Sequence, residues 1–236
     1  GVGRPHGSRA RAAGLLVAVV LCEVALARRI VMVHRISAEQ VRLERFRRYF
    51  SPQIAQTIQR AEDEFSTGHI CEITVLFSDL RGFTAAAESV PPAEVVELLN
   101  QMHSNMVQVV FEHDGTLDKY LGDGLMAYFG APVMQPDHAT RALRCALAMQ
   151  LVFKRLNLGF PGKPPLRLSI GLHTGPAVIG VVGAQNRREF TAVGNTVNLA
   201  SRMENLTRIY DHDVLLSGET ARRIDPDFGA KMIASA

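Results

Sequence analysis

Tryptophan is absent from the 236 residues, and aromatic residues make up only 6% of them. Cysteine is scarce: Cys22, Cys71 and Cys145 stand far apart with no C-x-x-C pair. That excludes a disulfide framework and a zinc ribbon and leaves three ordinary thiols in a reducing compartment. No G-x-x-x-x-G-K-[ST] loop occurs, since Gly162-Lys163 lacks the upstream glycine and runs into Pro164. G-x-G-x-x-G, H-E-x-x-H and G-x-S-x-G are missing too, which removes the familiar dinucleotide, zinc-protease and serine-hydrolase signatures. What is present is ordinary: 47% hydrophobic and 21% charged residues, a composition that excludes wholesale disorder and collagen-like repetition. The length suits one domain with a substantial core plus an appendage.

The net charge of +3 hides an asymmetry. Ten arginines against Glu23, Glu39 and Glu44 give the first 48 residues a charge of +7, and the remainder carries −4. A basic tail on a mildly acidic domain argues against a nucleic-acid-binding face on that domain. Leu15 to Leu26 is apolar except for Glu23 and is flanked by Arg9, Arg11, Arg28 and Arg29. A bilayer span needs about 20 apolar residues, a length reached only by adding Ile30 to Val33 across two arginines. Three readings stay open: a signal peptide cleaved around Ala25-Leu26-Ala27, a poor membrane helix, or an amphipathic surface helix. The arginines favour a membrane-proximal segment over residues 1–36, with the domain in the cytoplasm at the inner membrane face. The first residue is Gly1, which points to a fragment or a processed chain.

Residues 37–66 read as a helical connector. Leu43, Phe46 and Phe50 share one stripe among arginines, and Ser51-Pro52 is an N-cap followed by proline at the first helical position. A solvated helix and a dimerising coiled coil remain equal alternatives for it. From residue 67 to 236 a domain follows. Ile70 to Ser78 predicts a strand ending at Asp79. Pro91-Pro92 opens a long helix bearing Val95, Leu98, Leu99, Met102, Met106 and Val109. Thr116 to Tyr120 and Leu125 to Phe129 predict a hairpin turning through Leu121 to Gly124. Asp137 is expected to cap a helix reaching Asn157. Two strands, Leu166 to Gly171 and Ala177 to Val182, are expected around His173-Thr174-Gly175-Pro176. Glu189 to Val193 then leads into a helix from Asn195 to about Ile209, and Val214 to Leu216 is a last strand. The order is that of an α+β, ferredoxin-like βαββαβ core with helices on one face and extra C-terminal elements.

Two aspartates stand out. Asp79 ends the first strand and Asp123 sits at the hairpin tip, so a ferredoxin-like sheet brings both to one end. Facing carboxylates repel unless a cation lies between them, and hard divalent ions prefer oxygen ligands. Taken singly, Asp123 is an ordinary turn residue and Asp79 a helix N-cap. The backbone around Gly82, Phe83 and Thr84 lies where a helix begins and suits a phosphate. Asn198 and Arg202 lie four apart on one helical face, where an arginine fork can bridge phosphate oxygens or simply lie beside the sheet. Lys119 interrupts an otherwise apolar strand.

Phe77-Ser78-Asp79-Leu80-Arg81-Gly82-Phe83-Thr84, Asp118-Lys119-Tyr120-Leu121-Gly122-Asp123 and Val193-Gly194-Asn195-Thr196-Val197-Asn198-Leu199-Ala200-Ser201-Arg202-Met203 occur in that order. Together they resemble the class III nucleotidyl cyclase catalytic domain over residues 70–225. Arg48-Tyr49-Phe50-Ser51-Pro52 also resembles the segment preceding such domains in bacterial cyclases. The resemblance implies that the ribose 3′-hydroxyl of a nucleoside triphosphate attacks its own α-phosphorus and releases pyrophosphate. It implies two divalent cations, Mg²⁺ or Mn²⁺, held by Asp79, Asp123 and the Leu80 carbonyl. Asn198 would position the ribose and Arg202 would stabilise the α-phosphate. It further implies a head-to-tail homodimer with metals on one chain and base-reading residues on the other.

The base-reading positions fall on Lys119 and Thr191. Lysine offers only donors, which suits adenine N1 and not guanine N1–H, so the expected substrate is ATP. Thr191 stands where many adenylyl cyclases carry aspartate, and its hydroxyl can both accept and donate. The Lys/Thr pair resembles the subgroup containing bicarbonate-responsive soluble cyclases. The triphosphate lysine that such domains carry in a C-terminal VKGK-like strand has no match here, and Lys231 stands in a different context. The expectation is that the last hairpin lies beyond Ala236. Two alternatives remain beside an adenylyl cyclase: a catalytically silent dimerisation or regulatory module of the same fold, and a guanylyl cyclase.

Overall fold

A computed structural model describes residues 68–184 and 187–228; the readings made for residues 1–66 lie outside this range. Among the described residues no helix is long and apolar enough to cross a membrane. The sheet is built on β1 (His69–Arg81), whose side chains alternate between two faces as strand geometry requires. Leu76 and Leu80 enter one apolar cluster, while Ile73 and Val75 enter another. β2 (Thr116–Leu121) and β3 (Gly124–Phe129) form the expected hairpin, and β3 runs antiparallel to β1 with Ser78 opposite Leu125. β4 (Arg167–Ala184) lies on the other side of β1, and β5 (Arg187–Val193) completes the order β2-β3-β1-β4-β5. A short β6 (Val214–Leu216) pairs parallel with β4.

After β1 come the five-residue α1 (Phe83–Ala87) and then α2 (Pro92–Glu112). Leu98, Met102, Met106 and Val109 of α2 are buried, the spacing of one helical face. α3 (His138–Leu156) buries Ala142, Ala146, Met149 and Phe153, and both helices cover the Leu76 face. α3 ends as read, with Asn157 in a left-handed conformation at φ 46°. α4 (Asn195–Tyr210) follows β5, and α5 (Gly218–Ala221) follows β6. The β1-α2-β2-β3-α3-β4 order is the α+β, ferredoxin-like core with additional C-terminal elements.

Four local expectations are corrected. Helices cover both faces, because Val197 and Ala200 of α4 pack against Ile73, Val75, Met126 and Tyr128. Gly171 permits this: a Cβ there would lie 2.0 Å from the backbone nitrogen of Glu204, so only glycine lets α4 lie directly on β4. β4 is one strand of 18 residues rather than two. Pro176 interrupts nothing because it falls between the partners on that edge: β6 stops opposite Leu172 and β5 begins opposite Val178. Pro176 still pairs with Glu72 of β1 on the other side, but its nitrogen, in step with that of Ile170 which donates outward to Asp213, faces the gap and costs no ladder hydrogen bond. β1 continues past Asp79 to Arg81, so Asp79 is a strand residue opposite Ser169 and not an N-cap. Asp137 stands at the head of α3, but its carboxylate accepts from Arg141 Nε at 2.7 Å instead of capping the helix.

Candidate active site

Asp79 shares its sheet face with Ile73 and Val75, the face that α4 covers. The β2–β3 turn delivers Asp123 to the same end. Gly122 takes φ 71° in that turn, and Gly124 is pressed so closely on β1 that a Cβ would lie 2.0 Å from the Ser78 carbonyl oxygen. From α2, His103 Nε2 hydrogen-bonds the Gly122 carbonyl at 2.9 Å, and its ring lies 4.6 Å from that of Tyr120. Burial drives the His103 pKa down. The hairpin tip is thereby held against both the sheet and a helix. Burial first, and then the negative charge of Asp79, raise the pKa of Asp123. The two expected aspartates are brought to the same end of the sheet.

Arg208, nearly two turns beyond Arg202 on α4, supplies a counter-charge by donating from Nη2 to Asp79 Oδ2. One turn earlier, buried Glu204 accepts from Ser169 Oγ at 2.6 Å, and Ser169 Oγ also lies 3.1 Å from the Asp79 carbonyl oxygen. The Glu204 pKa is raised, chiefly by burial and further by Asp79. Sequence reading missed both residues; the only signal was the i, i+4 Glu-Arg spacing, which is common on any exposed helix.

A second cluster forms around Lys119. The β2–β3 register slips between Leu117 and Lys119, which oppose Ala127 and Met126 in turn, so Asp118 is the extra residue of a β-bulge. Its carboxylate accepts from the Thr191 hydroxyl at 2.7 and 3.0 Å and from the Ala192 backbone N–H at 3.1 Å. Lys119 Nζ lies 3.2 Å from Asp118 Oδ1 and 3.7 Å from Glu189 Oε2. Lys119 and Thr191 are therefore joined through a residue to which sequence reading gave no role. Adjacent charges in a strand were the available sign, because strict alternation cannot send both to one face.

The remaining expected residues are not joined to either cluster. Asn198 and Arg202 are exposed on α4, one turn apart, and among the described residues no hydrogen bond or ion pair ties them to Asp79 or Asp123. Leu80 is buried in the core, leaving only its backbone to offer a ligand. Gly82, at φ 83°, precedes α1, with Phe83 and Thr84 in its first turn and no side-chain cap over their amides.

The donor set fits hard divalent cations. It offers two carboxylates at one end of the sheet, near enough for the charge of one to act on the other, and an arginine drawn onto one of them. Among the described residues no cluster of three or more His, Cys, Asp or Glu forms a metal cage. Mg²⁺ and Mn²⁺ are commonly held by one or two carboxylates plus substrate phosphates.

Comparison with known proteins agrees with this geometry. A family described as the adenylate and guanylate cyclase catalytic domain matches residues 66–232. Adenylate cyclase 1 of Rhizobium meliloti is 42% identical over 149 residues, 62% of this chain and 22% of that protein. An adenylate cyclase of Anabaena cylindrica is 34% identical over 158 residues, 64% of this chain and 30% of that protein. The chain thus spans under a third of these relatives' length. Among solved structures, the guanylyl cyclase Cya2 superposes with TM-score 0.62 at 38% identity, covering 67% of this chain and 80% of its own. The adenylyl cyclase CyaB from P. aeruginosa does so with TM-score 0.60 at 32% identity, covering 66% and 81%. With the fold, the aspartate pair and a family match over most of its length, the chain belongs to the class III adenylyl and guanylyl cyclase catalytic-domain family.

Proposed function

We propose that the chain is an adenylyl cyclase, converting ATP to 3′,5′-cyclic AMP and pyrophosphate in a head-to-tail homodimer with two divalent cations. The observation that carries this reading is the convergence of Asp79 and Asp123, held by a turn that tolerates no side chain at Gly124. These two carboxylates, with the Leu80 carbonyl, would hold the cations, which when bound lower the pKa of the 3′-hydroxyl and offset triphosphate charge. Asn198 orients the ribose, and the planar fork of Arg202 meets the charge developing on the α-phosphate. The amides of Gly82, Phe83 and Thr84 receive phosphate oxygens.

Lys119 donates to adenine N1 and Thr191 accepts from the 6-amino group, a pairing guanine cannot reproduce because its N1 carries a proton. Dimerisation is supported by exposed Val178, Val182 and Val193 on one face of the β4–β5 hairpin, an apolar patch of the kind that marks interaction surfaces. It is also supported by Asn198 and Arg202, which face solvent apart from the aspartates of their own chain. Asp79→Ala and Asp123→Ala are each expected to abolish cyclic AMP formation under saturating ATP and Mn²⁺ while the melting temperature stays near wild type. Turnover at the wild-type rate in either variant would refute the reading.

A further inference from the structure

A threonine hydroxyl is an ambiguous reader, since it can accept from an amino group or donate to a carbonyl. Whether Thr191 can tell adenine from guanine depends on what already holds its proton. In this structure Asp118 holds it. The carboxylate is buried, with its side chain wholly shielded from solvent, and it receives the Thr191 hydroxyl at 2.7 Å from one oxygen and 3.0 Å from the other. An ionised carboxylate has no proton to give, so the hydroxyl must be the donor in this pair and only its lone pairs remain for a ligand. The Ala192 N–H donates at 3.1 Å to the same oxygen that takes the shorter Thr191 contact, which fixes that end of the carboxylate.

Asp118 also sets the second reader. Lys119 Nζ lies 3.2 Å from Asp118 Oδ1, with Glu189 Oε2 at 3.7 Å on another side. Both carboxylates hold the ammonium by charge, and an ammonium is donor-only whatever it faces. The bulge makes this arrangement attainable: the extra residue in β2 lets Asp118 and Lys119 reach the same side of the sheet, where regular pleating would send them apart.

We infer that Asp118 is a specificity-determining positioning residue: it locks Thr191 as an acceptor and holds the Lys119 donor beside it, a pattern that matches adenine and mismatches guanine. The inference rests on the proposal that Lys119 and Thr191 contact the base, and it assigns the discrimination to a residue that need not touch the nucleotide. Asparagine at 118 reverses the logic. With its oxygen kept on the Ala192 N–H, its amide nitrogen stands in place of Oδ1, where it confronts Lys119 Nζ and donates to the Thr191 lone pair otherwise left for the base.

The test is the ratio of kcat/KM for ATP to that for GTP, measured with Mn²⁺ on the full chain. Asp118→Asn is expected to lower this ratio by about tenfold or more, mainly through loss on ATP. A merely structural role would lower both substrates together and leave the ratio unchanged, which overturns the inference. Thr191→Asp, made with Asp118 intact, gives a second arm should Asp118→Asn not fold. It sets two carboxylates about 3 Å apart and is expected to depress ATP turnover, although aspartate is the better acceptor for an amino group. An unchanged or raised ATP value there also overturns the inference. A wild-type chain that prefers GTP, or cyclises neither triphosphate, removes the ATP reading itself and this inference with it. Wild-type preference for ATP with an unmoved Asp118→Asn ratio removes the inference alone.

Discussion

Gly124 sets the spacing of the two aspartates. A methyl group at that position would meet the Ser78 carbonyl oxygen at 2.0 Å and the Asp79 Cα at 3.3 Å. Both obstacles are backbone, so neither rotates away. Gly124→Ala is expected to cost about 2–3 kcal/mol and to weaken Mn²⁺ binding, checked by urea unfolding and by electron paramagnetic resonance of free Mn²⁺. Arg208 acts in the opposite sense, because a cation arriving at Asp79 has to displace its guanidinium. Arg208→Ala is expected to tighten nucleotide-free Mn²⁺ binding severalfold, read by the same resonance signal. The pair is exposed enough that its removal should shift stability by no more than about 1 kcal/mol. Asp79 and Asp123 were legible in the sequence because strand end and turn tip are local features. Arg208 and Asp118 were not, since each acts through a contact 129 or 73 residues away along the chain, and no local pattern encodes that distance.

Elements were read well where one periodicity governs them. α2, α3 and α4 begin and end within a few residues of their expected limits, because each buries one continuous stripe. β4 was misread as two strands because glycine and proline ordinarily punctuate, and only its neighbours reveal that Pro176 falls in a gap between β6 and β5. Behind that stretch a run of hydroxyls ties the C-terminal elements to the sheet. His138 Nδ1 and Thr74 Oγ1 lie 2.8 Å apart, Thr74 and Thr174 2.8 Å, and Thr174 donates to Thr220 at 3.0 Å. Burial lowers the His138 pKa below its usual 6.5, with Arg223 adding to this and Glu72 and Asp137 opposing it. The native state therefore favours the neutral ring. The associated stability is whole above about pH 6.5 and is lost as pH falls from there toward the depressed native value. Urea unfolding between pH 7.5 and 5 is expected to show this decline, and His138→Gln, which keeps a hydrogen-bonding group but cannot titrate, should make it shallower.

For the whole molecule, the sheet separates two chemistries. The aspartate pair lies at the hairpin tip, and the Lys119–Asp118–Thr191 cluster lies where the bulge meets β5, with no described contact joining them. A head-to-tail dimer would set one copy's aspartates against the other copy's readers. Mixing Asp79→Ala chains with Arg202→Ala chains, each inactive alone, is then expected to restore roughly a quarter of wild-type turnover: about half the dimers are mixed, and each of these holds one intact site of two. Complementation by equimolar refolding measures it, and no recovery would mean that each chain builds its site alone. The fold class was legible at this scale because βαββαβ order prunes topologies severely. The second helical layer was not, because it depends on a close approach that the bare Cα of Gly171 permits.

The slip between Leu117 and Lys119 also limits how this protein can change. Removing one residue there would straighten the edge strand and swing every side chain on its upstream or its tipward stretch to the opposite surface. Drift at this locus can exchange one amino acid for another, but it cannot alter the count. On the proposed reading of the base, nucleotide preference is thus open to reprogramming by point substitution and closed to insertion or deletion.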